Sequence, residues 1–248
     1  MPPMRRLAAT ALLTTGLALP AQAEMTPEER AAFREEVRAY LLENPEVLVE
    51  AMDVLQSREN EAAANRDLQM LADNKAAIFE SADDWVGGNP EGDVVLVEFM
   101  DYRCGYCRKA YSEVEELVKS DGNIRFVVKE FPILGEASLM SSQFAIAVRQ
   151  LHGDAAYKSV HDALIELRGE PTVETLTRLA QDLGHEPQPI LDRMNAPEVM
   201  SVIQANHALA DTMEISGTPT FVLKSMMLRG YVPLDSMRQI VAEVRAEG

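Results

Sequence analysis

The chain has 248 residues, 47% of them hydrophobic, which suffices for one sizeable domain with a core and an appendage. With 23 Lys and Arg against 40 Asp and Glu, its formal net charge is −17, which excludes a nucleic-acid partner held through phosphates. The acidic surface favours solubility but selects no other function, because contacts with unfolded polypeptides are mostly apolar.

The first element reads as a secretory signal. Arg5 and Arg6 open it, an apolar stretch runs from Leu7 to Leu19, and Ala21-Gln22-Ala23 supplies small residues for cleavage before Glu24. Cleavage leaves 21 basic residues against 40 acidic ones. The stretch is shorter than the roughly 20 residues of a spanning helix, with a retained anchor as the competing reading. No cysteine lies near the cleavage site, which argues against a lipoprotein. A chain exported this way works in an oxidising compartment, and with two cysteines in all, the disulfide it forms is its working one.

Residues 24–75 read as a helical arm. Thr26-Pro27-Glu28-Glu29 offers an N-cap, a proline at the first helical position and a capping-box acid. Phe33, Val37, Tyr40 and Leu41 share one face before Asn44-Pro45 breaks the helix. A second helix carries Val47, Leu48, Met52 and Leu55, and the pattern continues through Leu68, Leu71 and Ile78. Arg58 to Arg66 is polar and alanine-rich, so the apolar stripe needs a partner: another copy of the chain, or the chain's own domain. The heptad is too broken to fix an oligomer number.

Residues 76–248 read as an α/β domain. Gly87-Gly88-Asn89-Pro90-Glu91-Gly92 signals a loop, followed by a strand at 94–99, a helix from about Cys104 to Lys119, an Asp121-Gly122-Asn123 turn and a strand at 124–129. This is a β-α-β unit. From about 137 to 212 several helices follow, carrying Phe144, Ile146 and Val148, then Val160, Leu164 and Leu167, then Leu176 and Leu179. After Gly217-Thr218-Pro219 come strands at 220–223 and 226–229 and an amphipathic helix from Leu234 with Met237, Ile240, Val241 and Val244.

Chemistry concentrates at Cys104-Gly105-Tyr106-Cys107, the sole cysteine pair. At a helix N-terminus, unsatisfied N–H groups and the helix dipole favour a thiolate at Cys104, which becomes the nucleophile. Cys107, one turn on, is within disulfide reach and can release a mixed disulfide as the resolving thiol. A zinc site needs two further ligands, and His152, His161, His185 and His207 form no knuckle. Haem attachment needs a histidine where Arg108 stands. Two readings stay open beside redox chemistry: buried structural thiols, and Cu(I) held by Cys104 and Cys107 as soft ligands. No other metal and no cofactor is expected.

These motifs resemble a thioredoxin fold of the DsbA family, with a helical insertion at about 137–212. The resemblance covers about residues 76–248 and rests on Val97-Glu98-Phe99, Cys104-Gly105-Tyr106-Cys107, Lys129-Glu130-Phe131-Pro132-Ile133-Leu134-Gly135 and Gly217-Thr218-Pro219-Thr220. The arm, with Tyr40-Leu41-Leu42-Glu43-Asn44-Pro45-Glu46-Val47-Leu48, resembles the N-terminal segment of ScsC-type proteins, the suppressors of copper sensitivity, among which are trimeric disulfide isomerases. The resemblance implies a periplasmic location, a homo-oligomer with a trimer favoured, unfolded or misoxidised secreted proteins as clients, and a membrane thiol reductase as electron donor.

It also implies site roles. Glu98 matches the family's acid that moves protons at the resolving thiol. A carboxyl inside an apolar strand is costly to ionise, which independently makes it a proton acceptor and donor for Cys107. The competing reading has Glu98 facing solvent or paired with Lys129. Pro219 matches the family's cis-proline beside the disulfide, where backbone groups pair with a substrate strand, against a plain trans turn proline. Gly105, Tyr106 and Thr218 resemble the isomerases DsbC and DsbG more than the oxidase DsbA, which favours disulfide shuffling over simple oxidation. Met100, Tyr102 and Tyr106 are read either as an apolar rim for clients or as core. A dithiol oxidase and a non-enzymatic Cu(I)-binding protein are the rival functions.

Overall fold

The computed structural model describes residues 25–247; the expected signal segment lies outside them. The chain divides into two compact units, one ending at Arg58 and one from Glu59 onward. Among the described residues no helix is long and apolar enough to cross a membrane.

In the first unit, α1 (Pro27–Glu43) starts at the expected capping box: the Glu29 N–H donates to Thr26 Oγ1 at 3.2 Å, and the Thr26 N–H donates to Glu29 Oε2 at 2.9 Å. It ends at Asn44, and α2 (Glu46–Asp73) begins directly after Pro45. No residue of α1 is buried, and Phe33, Tyr40, Leu48, Met52 and Leu55 are all more than half exposed. This apolar surface has no cover within the unit.

The second unit takes in the last part of α2, so it starts earlier than residue 76. Leu71 and, from α3 (Lys75–Phe79), Ile78 are buried against Val97, Phe99 and Val127 of the sheet. Burying these side chains holds the helix end to the domain at roughly 1.5–3 kcal/mol each.

The sheet has the order β1-β3-β2-β4-β5. β2 (Val94–Met100) and β3 (Ile124–Glu130) are parallel, joined by α4 (Gly105–Asp121), as the β-α-β reading expects. β4 (Thr220–Leu223) lies antiparallel to β2, and β5 (Met226–Arg229) forms the edge beyond it. β1 (Trp85–Gly88) corrects the sequence reading, which took Gly87-Gly88 as loop: it pairs antiparallel with β3. Its glycines serve close approach. A Cβ at Gly87 would stand 2.1 Å from the Trp85 ring, and one at Gly88, at φ +67°, would stand 2.3 Å from the Ile124 carbonyl.

Strand alternation sets the faces. Leu96 and Met100 join the larger core beneath α4, and Val97 and Phe99 join the smaller one on the other side. The insertion is α5 (Glu136–His152), α6 (Asp154–Glu166), α7 (Val173–Asp182), α8 (Pro187–Met194) and α9 (Pro197–Thr212), close to its expected bounds, and α10 (Leu234–Ala246) closes the chain. The mixed sheet with helices on both faces agrees with the expected thioredoxin fold.

Candidate active site at the Cys104 turn

Cys104, the expected nucleophile, is positioned by a turn built on Asp101. Its carboxylate accepts from the N–H groups of Arg103 (2.7 Å), Ile133 (2.8 Å) and Leu134 (3.1 Å) and from Ser138 Oγ (2.8 Å). The Cys104 N–H donates to the Asp101 carbonyl at 3.1 Å, which ends β2 and places Cys104 as the N-cap of α4. Arg108 Nε donates to the Tyr102 carbonyl at 2.8 Å and ties the helix back to the turn.

Both cysteines are thiols, and Cys104 retains 8% exposure where Cys107 has 1%. Cys104 is lowered to about 5. The leading cause is a hydrogen bond from the Cys107 thiol, joined by the Thr218 hydroxyl and the N–H groups of Cys107 and Tyr106, against a desolvation cost. Its Sγ also lies 3.1 Å from the Thr218 carbonyl. That contact suits the thiol and opposes ionisation; four donors outweigh one acceptor. Cys107 moves the other way, pushed up first by its bond to the Cys104 sulfur, then by burial and the nearby Glu98 charge. The two sulfurs thus divide into one that favours the thiolate and one held protonated.

Glu98, 6% exposed, sits in β2 between Val128 and Phe221. It is pushed up to about 8 by burial first, then by the charges of Cys104 and Glu115. It does not pair with Lys129, whose ammonium forms a buried ion pair with Asp84 and donates to the Ala77 carbonyl at 2.8 Å. Solvent exposure of Glu98 is likewise ruled out by its burial. The Thr218–Pro219 peptide is cis, Pro219 is buried, and its carbonyl accepts from the Gly230 N–H at 2.9 Å.

Gly105 and Tyr106 lie exposed in the first turn of α4, and Tyr106, 63% exposed, faces the Tyr231 ring at 6.4 Å. Met100 and Tyr102 are buried, so of the three candidate rim residues only Tyr106 is available to a client.

Sequence reasoning missed a buried carboxyl. Glu130, at the end of β3, accepts from Tyr102 Oη (2.7 Å), Tyr157 Oη (2.6 Å) and Ser142 Oγ (2.7 Å), and His161 Nδ1 lies 3.1 Å from the same Tyr102 oxygen. Burial pushes Glu130 up to about 7 against these donors, and pushes His161 down to about 4. The cluster pins α5 and α6 to the turn that carries Cys104. For Cu(I), the two sulfurs are the soft donors at hand; among the described residues no three His, Cys, Asp or Glu side chains form a ligand group.

A family model described as Thioredoxin matches residues 80–243, and one described as the copper resistance protein ScsC N-terminal domain matches residues 29–62. A thioredoxin-like oxidoreductase from Silicibacter pomeroyi DSS-3 is 38% identical with a TM-score of 0.66, covering 70% of this chain and 98% of its own. Proteus mirabilis ScsC in a transitional conformation is 25% identical with a TM-score of 0.67, covering 90% of this chain and all of its own. The Na(+)/H(+) antiporter NhaA 3 of Salinispora tropica is 29% identical over 175 residues, 66% of this chain. The chain spans about a quarter of the length of such curated relatives.

Proposed function

Because the chain belongs to the thioredoxin family, with an ScsC-type segment ahead of a DsbA-like fold, we propose that it is a periplasmic thiol-disulfide oxidoreductase that reduces or reshuffles wrong disulfides in secreted proteins. The observation that carries this reading is the split between the two sulfurs, a stabilised thiolate at Cys104 against a protonated, buried Cys107 beside Glu98.

The Cys104 thiolate attacks one sulfur of a client disulfide. A Cys104–client bond forms, the client bond breaks, and the second client sulfur leaves as a thiolate. In reshuffling, that client thiolate or another attacks back and regenerates Cys104. In reduction, Glu98 in its ionised form, the minor one below pH 8, takes the Cys107 proton, Cys107 attacks Cys104, and the client leaves reduced while Cys104–Cys107 closes as a disulfide. Two electrons from a membrane thiol reductase then restore the dithiol. The backbone beside Pro219 pairs with the client strand, and Gly105 and Tyr106 border its path.

A thiolate near 5 lies between the roughly 3.5 of the strong oxidant DsbA and the roughly 7 of thioredoxin. That intermediate poise suits a protein that both forms and releases mixed disulfides. It also keeps the oxidase reading alive, since a stabilised thiolate makes the disulfide form oxidising. The arm favours the isomerase: its uncovered apolar surface in α1 and the start of α2 suits pairing with other copies, a trimer by the ScsC resemblance, which groups several Cys104 sites around one client.

The test is reactivation of scrambled ribonuclease by the reduced mature protein, with Cys104→Ala as control. Recovery that depends on Cys104 supports the isomerase. Failure there, with rapid oxidation of reduced ribonuclease by the disulfide form, establishes the oxidase instead. Failure in both, with tight Cu(I) binding lost in Cys104→Ser, leaves the copper-binding reading.

A further inference from the structure

Beside the cis-proline loop lies a recess of about 240 Å³, lined by Ser216, Gly217, Thr218, Thr220, Arg229 and Gly230. It adjoins the nucleophile through Thr218, whose carbonyl is 3.1 Å from Cys104 Sγ. Its frame is fixed: Arg229 faces Thr220 across the β4–β5 ladder, Gly230 bonds the Pro219 carbonyl, and Thr220 Oγ1 donates to the Gly217 carbonyl at 2.8 Å.

Arg229 is the one charged residue in this lining. Asp67 of α2 grips it with a fork, Nη1 to Oδ2 at 2.7 Å and Nη2 to Oδ1 at 2.9 Å. A guanidinium carries five N–H donors, so the fork leaves three unused by Asp67. The Arg229 side chain stays 43% exposed where Asp67 is 19% exposed. The fork therefore orients the cation without covering it, on a chain whose net charge is −17.

A client strand laid along residues 216–218 with its cysteine joined to Cys104 advances about 3.3 Å per residue and alternates its faces, so the side chain two residues from that cysteine shares its face and falls about 7 Å along, over the recess. We propose that this recess is a subsite selecting an acidic side chain two residues from the client's reactive cysteine, with Arg229 as the specificity-determining residue and Asp67 as the residue that positions it. The inference rests on the thiol-exchange reading above and adds the class of client sequence to it.

The test uses three peptides alike except for a Glu, Gln or Lys two residues from a single cysteine, each blocked as a mixed disulfide with a thiopyridyl group. The Cys104 thiolate attacks the peptide sulfur, the new Cys104–peptide bond forms, and thiopyridone leaves and is read by absorbance. The acidic surface as a whole draws cations, so the informative quantity is each peptide's rate in the wild type relative to Arg229→Gln. The expected result is a Glu-to-Gln rate ratio about threefold higher in the wild type, the size of an exposed ion pair, retained in Arg229→Lys and lost at high salt. An equal Glu-to-Gln ratio in the wild type and Arg229→Gln overturns the subsite. So does a wild-type excess that Arg229→Lys fails to retain while that variant still reacts with the Gln peptide. A wild type that reacts with none of the peptides sinks the thiol-exchange reading itself.

Discussion

Replacing Glu98 with Gln tests whether the buried acid behaves as its surroundings require. Burial, with the charges of Cys104 and Glu115, moves Glu98 from an ordinary 4.5 up to about 8. Between those values the folded chain holds a proton that the unfolded chain has released. Wild-type stability therefore falls as pH rises above 4.5, and the loss is complete above 8. Each tenfold change in proton affinity is worth about 1.4 kcal/mol, so the full displacement amounts to about 5 kcal/mol, an upper bound once side chains relax. Gln keeps the size of Glu98 and cannot ionise. Urea unfolding of the reduced proteins should show Glu98→Gln within about 1 kcal/mol of wild type at pH 4.5. Above pH 8 the variant should be more stable by several kcal/mol. Repeating the comparison in a Cys104→Ser background should shrink the gain, because part of the shift comes from the thiolate. The same variant should slow release of the mixed disulfide by Cys107 while leaving the first attack by Cys104 fast. A gain that is equal at the two pH values, or a wild type that is the more stable above pH 8, would refute the argument.

The Cys104 thiolate should appear in ultraviolet absorbance with a midpoint of about 5, vanish in Cys104→Ser, and be followed by no step from Cys107 through the neutral range. Because its value is lowered on folding, the thiolate stabilises the reduced protein as pH rises above 5, by about 3 kcal/mol at pH 7, and this is lost as pH falls through 5. Denaturation of wild type against Cys104→Ser checks it, and a pH-independent difference contradicts it. Glu130→Ala strips the acceptor from three buried hydroxyls and should cost on the order of 3 kcal/mol. Unfolding followed by the fluorescence of Trp85, which stacks on Tyr157 at 5.6 Å, measures that loss, and a cost below about 1 kcal/mol would count against a structural role. Deleting residues 24–58 removes Phe33, Tyr40, Leu48 and Met52 and should turn an oligomer into a monomer by light scattering. Ribonuclease reshuffling should then fall while reduction of a small disulfide persists; an unchanged mass would overturn the oligomerisation reading.

What was legible in the sequence follows the range of the interactions concerned. The capping box at Thr26 and Glu29, the break at Asn44-Pro45, and the strands at 220–223 and 226–229 rest on contacts between near neighbours in the chain, and the structure has them where the residues place them. β1 was hidden because Gly87 and Gly88 carry a turn-like composition for a packing reason, the Trp85 ring and the β3 backbone, which come from tertiary structure. The start of the second unit was hidden because α2 runs unbroken past it and its late apolar residues look like more of the same stripe. The Asp67–Arg229 fork joins residues 162 positions apart, and no local pattern announces it.

The two buried carboxyls show where the limit lies. Glu98 stands in Val97-Glu98-Phe99 and Glu130 in Lys129-Glu130-Phe131, each an acid before a phenylalanine in neighbouring parallel strands, and by pattern they are equivalent. Their environments separate them. Glu98 meets burial and like charges with no donor among the causes of its shift, so it rises to about 8, which suits the proton exchange with Cys107 proposed above. Glu130 receives three hydroxyl donors from the turn after β2, from α5 and from α6, which hold it nearer 7. Satisfied in this way, its carboxyl serves as an anchor, since moving its proton would break bonds that tie three segments together. The difference between a carboxyl without donors and an anchored one is thus set by Tyr102, Ser142 and Tyr157, residues that no periodicity links to Glu130 until the helical insertion has folded onto the sheet.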